Sequence, residues 1–443
     1  MSATDAVALG GDRAAVARPT RVRWKMMVVL FAIGFVAYLL RTNMSVAGVS
    51  MRQDLQLSDL QLGAVLAAFA WGYSLFQFPG GVIGGRFGGR LTLAVITALW
   101  GVLNILVAAV PSRAAPVTVT LLSLIALRFL MGVAQAPLFP VMGGDTIRRW
   151  FPIGGWALPN GLSNAGLTLG AAATGPIIAW LTQSVGWRAS FVATAPLALV
   201  VALWWWWYAR DVPSEHQAIN AEEVRLIDAH RDATTVEPPA PGSWRIALAN
   251  RQVQLITLSY FCANYLFYFF FNWLYTYLVE VRKFELLEGG FYSSAPWIVG
   301  AVGATLGGLV CDGLTRHRGI TFGCRAASLA GLVLAAVFIL AAATAPSPYV
   351  AVVFLSLCLA CQQFTDSSAW AATMSVSGRL APAACGVLNT GGNLSGGVVA
   401  LAVPIISSKL GWPAALASAA AMATIGGLIW FLIRADEPLR TDG

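Results

Sequence analysis

The sequence predicts an all-α membrane protein: twelve transmembrane helices in two six-helix, pseudo-symmetric halves. Three observations carry this. Of 443 residues, 58% are hydrophobic and only 11% charged, with a mean hydropathy of +0.70. A soluble domain carries about 25% charged residues, so a water-exposed surface could not be clothed here. Apolar runs long enough to cross a bilayer recur along the chain, and the second half echoes the first. A soluble enzyme, a nucleic-acid-binding domain and a disordered chain are excluded on these grounds.

The apolar runs fall at 26–48, 61–83, 91–110, 117–143, 160–181 and 189–208, then at 254–279, 290–311, 323–344, 348–375, 384–406 and 412–433. Gly, Pro, Arg or Asp stands in every break, as interfacial connections require. Residues 1–25 read as a polar cytoplasmic tail with no secretory cleavage site. The halves then cover 26–208 and 254–434, and 435–443 form a second tail. The break at 209–253 is of another kind. It holds Glu222, Glu223, Arg225, Asp228, Arg231 and Asp232, followed by the Pro-rich stretch 237–242. That predicts a short charged surface helix and a linker.

Of the 28 Lys and Arg, 20 fall on the side of the N-terminus and 6 on the other, with Arg41 and Arg128 left inside apolar runs. The positive-inside rule therefore places both termini in the cytoplasm of a multi-pass inner (plasma) membrane protein. This placement, rather than an acidic partner such as nucleic acid, accounts for the net charge of +8. The pair Cys358 and Cys361 reads as apolar packing, not as a metal or redox motif. No cofactor or metal is expected.

The repeat is specific. Gly161, Asn164, Gly166, Leu169, Gly186 and Trp187 recur as Gly386, Asn389, Gly391, Leu394, Gly411 and Trp412, each pair 225 residues apart. Two parallel six-helix repeats describe the major facilitator architecture, whose site lies near the midplane between the halves.

Charged side chains deep in a membrane face wet cavities or partners, because a bare charge there is costly. Arg41, Arg128 and Asp366 are the three candidates, each either part of a structural ion pair or a lining of the cavity. Arg41 shares a face with Tyr38 and Ser45. Arg128 shares one with Gly132 and Gln135. Gln362, Asp366 and Trp370 form a stripe at every fourth residue. Two buried guanidiniums suit an anion, since Arg stays protonated and grips a carboxylate with paired hydrogen bonds. Tyr73, Asn164, Asn272, Gln362 and Asn389 are candidates for hydrogen bonds to its hydroxyls, and Gln135 joins the substrate-binding set.

The strings YLLRTNMSVA, FAWGYSLFQFPGG, LRFLMGVAQAPLFP, RRWFP, NWLYTYL and GVLNTGGNLSGG resemble the anion:cation symporter family of the major facilitator superfamily. That family includes galactonate, glucarate, hexuronate, tartrate and phthalate carriers. The resemblance implies that Arg41 contacts a substrate carboxylate, helped by Tyr38, Tyr73, Trp370 and Asn389, and that Arg128 belongs to a coupling network. It implies a secondary transporter, not an enzyme, moving a small organic anion such as a sugar acid by alternating access with proton symport. Other readings are an uncoupled uniporter or an exchanger and, more distantly, a non-transporting membrane sensor.

The departures are local. Leu40 stands where proton-coupled members place Asp, and Gln135 where they place Glu, which leaves Asp366 as the one deep carboxylate to carry a proton. In the loop after the second helix, Gly81, Gly85, Arg86, Gly88 and Arg90 keep the superfamily pattern but Gly85 replaces its Asp. Asp312 retains that acid in the second half. Arg86, Arg90 and Asp312 are the gating candidates, and losing one lock should bias the carrier toward opening inward.

Overall fold

Four glycines frame the molecule. Gly88, Gly186, Gly319 and Gly411 have φ of 81° to 84°, a region that L side chains avoid. Each ends one long helix and starts the next. The computed structural model describes residues 18–111, 115–152, 157–228 and 243–437, and among them every regular element is helical. The helices are α1 (Val22–Leu55), α2 (Asp59–Phe87), α3 (Gly89–Ala108) and α4 (Val117–Gln135), the last continuing through a π-helical stretch, Pro140–Ile147. The run Ala157–Tyr208 is broken at Gly186 into α5 (157–185) and α6 (187–208). The second half holds α7 (Arg251–Thr276), α8 (Leu286–Arg318), α9 (Ile320–Thr344), α10 (Pro348–Ser377), α11 (Ala381–Leu410) and α12 (Trp412–Ile429).

Among the described residues, ten helical runs are long and apolar enough to cross a membrane, and Ala157–Tyr208 supplies two crossings in one run. α2, with 29 residues, matches their length and opens with a capping box between Ser58 and Gln61. α10 departs from the single segment that the sequence predicts. It is interrupted at Thr365, whose amide and Oγ1 both donate to the Gln362 carbonyl, at 3.1 and 2.8 Å, so that one turn is tightened.

The internal repeat is visible as repeated contacts. Gly166 of α5 presses on the Phe31 carbonyl of α1, and Gly391 of α11 presses on Thr257 of α7. Between the halves, Gly63 of α2 lies on the Ala400 carbonyl of α11, while Gly290 of α8 lies on the Gly175 carbonyl of α5. Residue 63 corresponds to 290 and 175 to 400 under the repeat, so the interface is self-complementary, as a two-fold axis demands. Only glycine permits such backbone approach, which in a bilayer supplies the packing energy.

The core shows where the halves join. One cluster spans both, with Met44, Met51 and Leu62 against Phe270, Leu274 and Val399. It occupies the face away from the 209–253 linker. Toward the linker the core divides into one cluster confined to 22–209 and another to 247–435. Gly161 and Gly386, related by the repeat, border open space there: a methyl group at either position would meet no atom within 4 Å. The molecule is thus closed on its far face and splayed on its linker face.

Within the linker, after the single turn Pro213–Glu215, the helix Ala221–Asp228 docks on the start of α1. Its buried Glu223 carboxylate accepts from Thr20 Oγ1 at 2.6 Å and from the Val22 and Arg23 amides at 3.0 and 3.2 Å, capping α1. Arg231, Asp232 and the Pro-rich stretch 237–242 lie outside the described residues.

Candidate functional site

α1 and α7 meet at the two-fold axis, and the repeat explains their meeting. Arg41 Nη2 donates to Tyr268 Oη at 2.8 Å, a bond between residues 227 apart and so between counterparts of the two halves. Five rings enclose the guanidinium: Tyr38, Phe69, Tyr73, Tyr268 and Phe271, with centroids 4.5 to 5.6 Å from its carbon. The Arg41 side chain is 3% exposed, and its Nε has no hydrogen-bond partner.

The polar chain runs on through the second half and returns to the first. Tyr268 Oη donates to Asn393 Oδ1 at 2.5 Å, and Asn393 Nδ2 donates to the Asn389 carbonyl and Oδ1 at 2.8 and 3.0 Å. Asn389 Nδ2 then reaches Gln77 Oε1 of α2 at 3.1 Å. Arg41, Tyr268, Asn393, Asn389 and Gln77 therefore stitch the halves together twice.

α4 stands behind α1. Arg128 Nη2 donates to the Arg41 carbonyl at 3.2 Å, and Gln135 Nε2 donates to the Ala37 carbonyl at 3.0 Å. Arg128 is 2% exposed, its Nε is unpartnered, and its guanidinium lies 4.8 Å from the Phe69 centroid, the same distance as that of Arg41. Neither arginine belongs to any ion pair among the described residues. The rings supply cation–π attraction of about 0.5–2 kcal/mol each at most. A π face carries no net charge, so among the described residues both guanidiniums lack a counter-ion at the axis.

Asp366 and Trp370 form a separate cluster. Tyr260 Oη donates to Asp366 Oδ1 at 2.9 Å, and the Trp370 ring meets the Tyr260 ring edge-on at 6.3 Å. Tyr260 precedes Tyr268 by eight residues of α7, roughly 12 Å toward the linker face. The stripe of Asp366 and Trp370 thus exists but faces Tyr260 rather than Arg41. Asn164 is exposed on α5, below the Gly175 contact, where the halves have separated.

At the linker face, Arg90 Nε and Nη2 donate to the Trp206 carbonyl at 3.1 and 3.0 Å, and the Arg90 amide donates to Asp211 Oδ1 at 2.8 Å. Asp211 therefore caps α3 from beyond α6. Arg86 and Asp312 are exposed and take no part in the ion pairs among the described residues. On the far face, Arg52 pairs with Asp59 of its own half and with Glu280 of the other.

Sequence reasoning overlooked Tyr268, Asn393, Gln77, Phe69, Phe271 and Tyr260. One signal was available for Tyr268: the repeat offset applied to Arg41 lands within two residues of it. The rest required knowing which helix faces meet.

Membrane-length helices, glycine breaks shared by the two halves and a polar site on their axis are matched outside this chain. Residues 30–333 fit the profile of the Major Facilitator Superfamily. The chain belongs to that superfamily. It is 30% identical over 400 residues, covering 88% of this chain and 86% of the relative, to a protein of Bacillus subtilis described as a probable galactarate/D-glucarate transporter. A probable sulfoacetate transporter of Cupriavidus necator is 29% identical, with 85% of each chain covered. Among solved structures, a bacterial homologue of the lysosomal transporter Spinster, inward-facing and unoccupied, aligns with a TM-score of 0.76 over 95% of this chain and 98% of its own, at 16% identity. The D-xylose-proton symporter aligns at 0.70 and 12% identity over 94% and 99%. These likenesses fix the fold. As a major facilitator, grouped with the organic-anion and sugar-acid carriers, the protein is a multi-pass transporter and not an enzyme.

Proposed function

We propose that the protein carries a small organic carboxylate, a sugar acid or a similar anion, across the inner membrane by alternating access with proton symport. The observation that supports this reading is the pair Arg41 and Arg128: buried, free of carboxylate partners among the described residues and set on the axis where the halves rock. The substrate carboxylate supplies the counter-charge, and the Arg41 nitrogens not used by Tyr268 receive it. Tyr38 and Tyr73 wall the guanidinium, and Asn389 holds Tyr268 in place through Asn393. With the far face closed, the site loads from the linker face. Closure of that face brings Asn164, Asp366 and Trp370 toward the ligand, while the far-face contacts between α1 and α7 release.

Asp366 is the proton carrier in this scheme, with Tyr260 as its hydrogen-bonded relay. Leu40 and Gln135, neither of which can take up or release a proton, favour a second reading, an uncoupled uniporter or exchanger on the same site. In this reading both termini and the 209–253 linker lie in the cytoplasm, the linker between six-helix halves at 26–208 and 254–434, which the excess of Lys and Arg supports. Binding is tested by thermal-shift titration of wild type and Arg41→Ala with candidate sugar acids. Loss of the ligand-induced shift in a folded variant supports the site, and an undiminished shift contradicts it.

A further inference from the structure

Charge counting at the axis goes further than the presence of an anion. We infer that the site takes a dianion, a small molecule with two acid groups, one answering Arg41 and the other Arg128; this rests on the reading of Arg41 as the anion contact. The two guanidiniums are neighbours, since Arg128 bonds the carbonyl of Arg41 and both stand 4.8 Å from the Phe69 centroid. Each keeps an unpartnered buried Nε. A monoanion cancels one charge and leaves its neighbour buried beside it.

Among the described residues no nearby side chain removes the second charge. Leu40 adjoins Arg41. Gln135 is neutral and spends its amide on the Ala37 carbonyl, leaving its Oε1 without a partner. Asp366 is engaged by Tyr260, roughly 12 Å along α7 from Tyr268. The ligand therefore has to bring both negative charges. Gln135 marks the position that decides this. Arg128 and Gln135 grip α1 at the carbonyls of residues 41 and 37, one turn apart and about 6 Å along the axis. A carboxylate at 135 would neutralise Arg128 from within the protein and reduce the demand on the ligand to a single charge.

The test is isothermal titration of the purified full-length protein with matched pairs: galactarate and galactonate, succinate and butyrate, sulfoacetate and acetate. Each pair shares a skeleton and differs by one acid group. In every pair that binds, the dianion is expected to bind at least tenfold more tightly. Arg128→Gln should cut that ratio to within about twofold. Gln135→Glu, which keeps Arg128 in place, should reverse the preference toward the monoanion. Equal affinity for both members of a binding pair, with binding still abolished by Arg41→Ala, overturns the dianion inference and leaves the proposed function standing. Binding that persists without Arg41, or no binding by any member of the series, overturns both.

Discussion

Replacing Glu280 with glutamine removes one half of the ion pair that joins α7 to Arg52 of α1 on the far face. Arg52 and Glu280 stand 228 residues apart, near-counterparts under the repeat, so their pair straddles the two-fold axis. It exists only while that face is closed. Two unit charges in contact near a protein surface attract by about 4 kcal/mol. The side chains here keep 19% and 24% of their exposure, and desolvation with side-chain ordering leaves a net of about 1 kcal/mol. Losing it shifts a balanced two-state equilibrium about fivefold toward the state open on the far face. Asp59→Asn is the control, because the Arg52–Asp59 pair lies within one half and survives rocking. Labelling of an engineered far-face cysteine reads the shift. Unchanged labelling in Glu280→Gln, or an equal change in Asp59→Asn, would refute the gating argument.

Asp366→Asn should abolish accumulation driven by a pH gradient while leaving exchange intact, because an amide keeps the Tyr260 contact but releases no proton; equal gradient-driven uptake in wild type and mutant assigns the proton elsewhere. His216, outside the membrane-spanning helices, is enclosed by the Trp150 and Tyr208 rings at 5.8 and 4.9 Å. Burial, then the Arg210 guanidinium, lowers its pKa below the usual 6.5. The folded state therefore favours the neutral ring, and the stabilisation is complete above about pH 6.5 and drains away as the pH falls through the lowered value. Linker docking, followed by limited proteolysis between pH 7.5 and 5, should loosen on acidification in wild type and lose that pH dependence in His216→Gln.

Much of the frame was legible in the sequence because the physics involved is one-dimensional. Hydropathy marks crossings, and the Gly, Pro, Arg or Asp in each break marks the connections. A constant offset between Gly161 to Trp187 and Gly386 to Trp412 marks the duplication. Arg41 and Arg128 stood out because charge is rare at that depth. What sequence could not supply was pairing across the axis. α7 carries several tyrosines, and only the meeting of α1 with α7 selects Tyr268 for Arg41 and Tyr260 for Asp366. The capping of α3 by Asp211 was hidden for the same reason, since the acid lies 121 residues from the amide it serves. The tightened turn at Thr365 in α10 is a local backbone feature that hydropathy does not register.

Counterflow of a labelled organic dianion into proteoliposomes, comparing wild type with Arg41→Ala, tests the central claim most directly. The loaded carrier must bind the anion at the axis and reorient, and no gradient is needed. Removing a buried contact of this kind lowers affinity by about 2–5 kcal/mol, since the ligand's charge is left unpaired. Saturable counterflow in wild type and none in a folded, membrane-inserted Arg41→Ala is the expected result. Counterflow of the same size in the two proteins would contradict the account, because the anion would then cross without the buried guanidinium that Tyr268 of the second half holds at the axis.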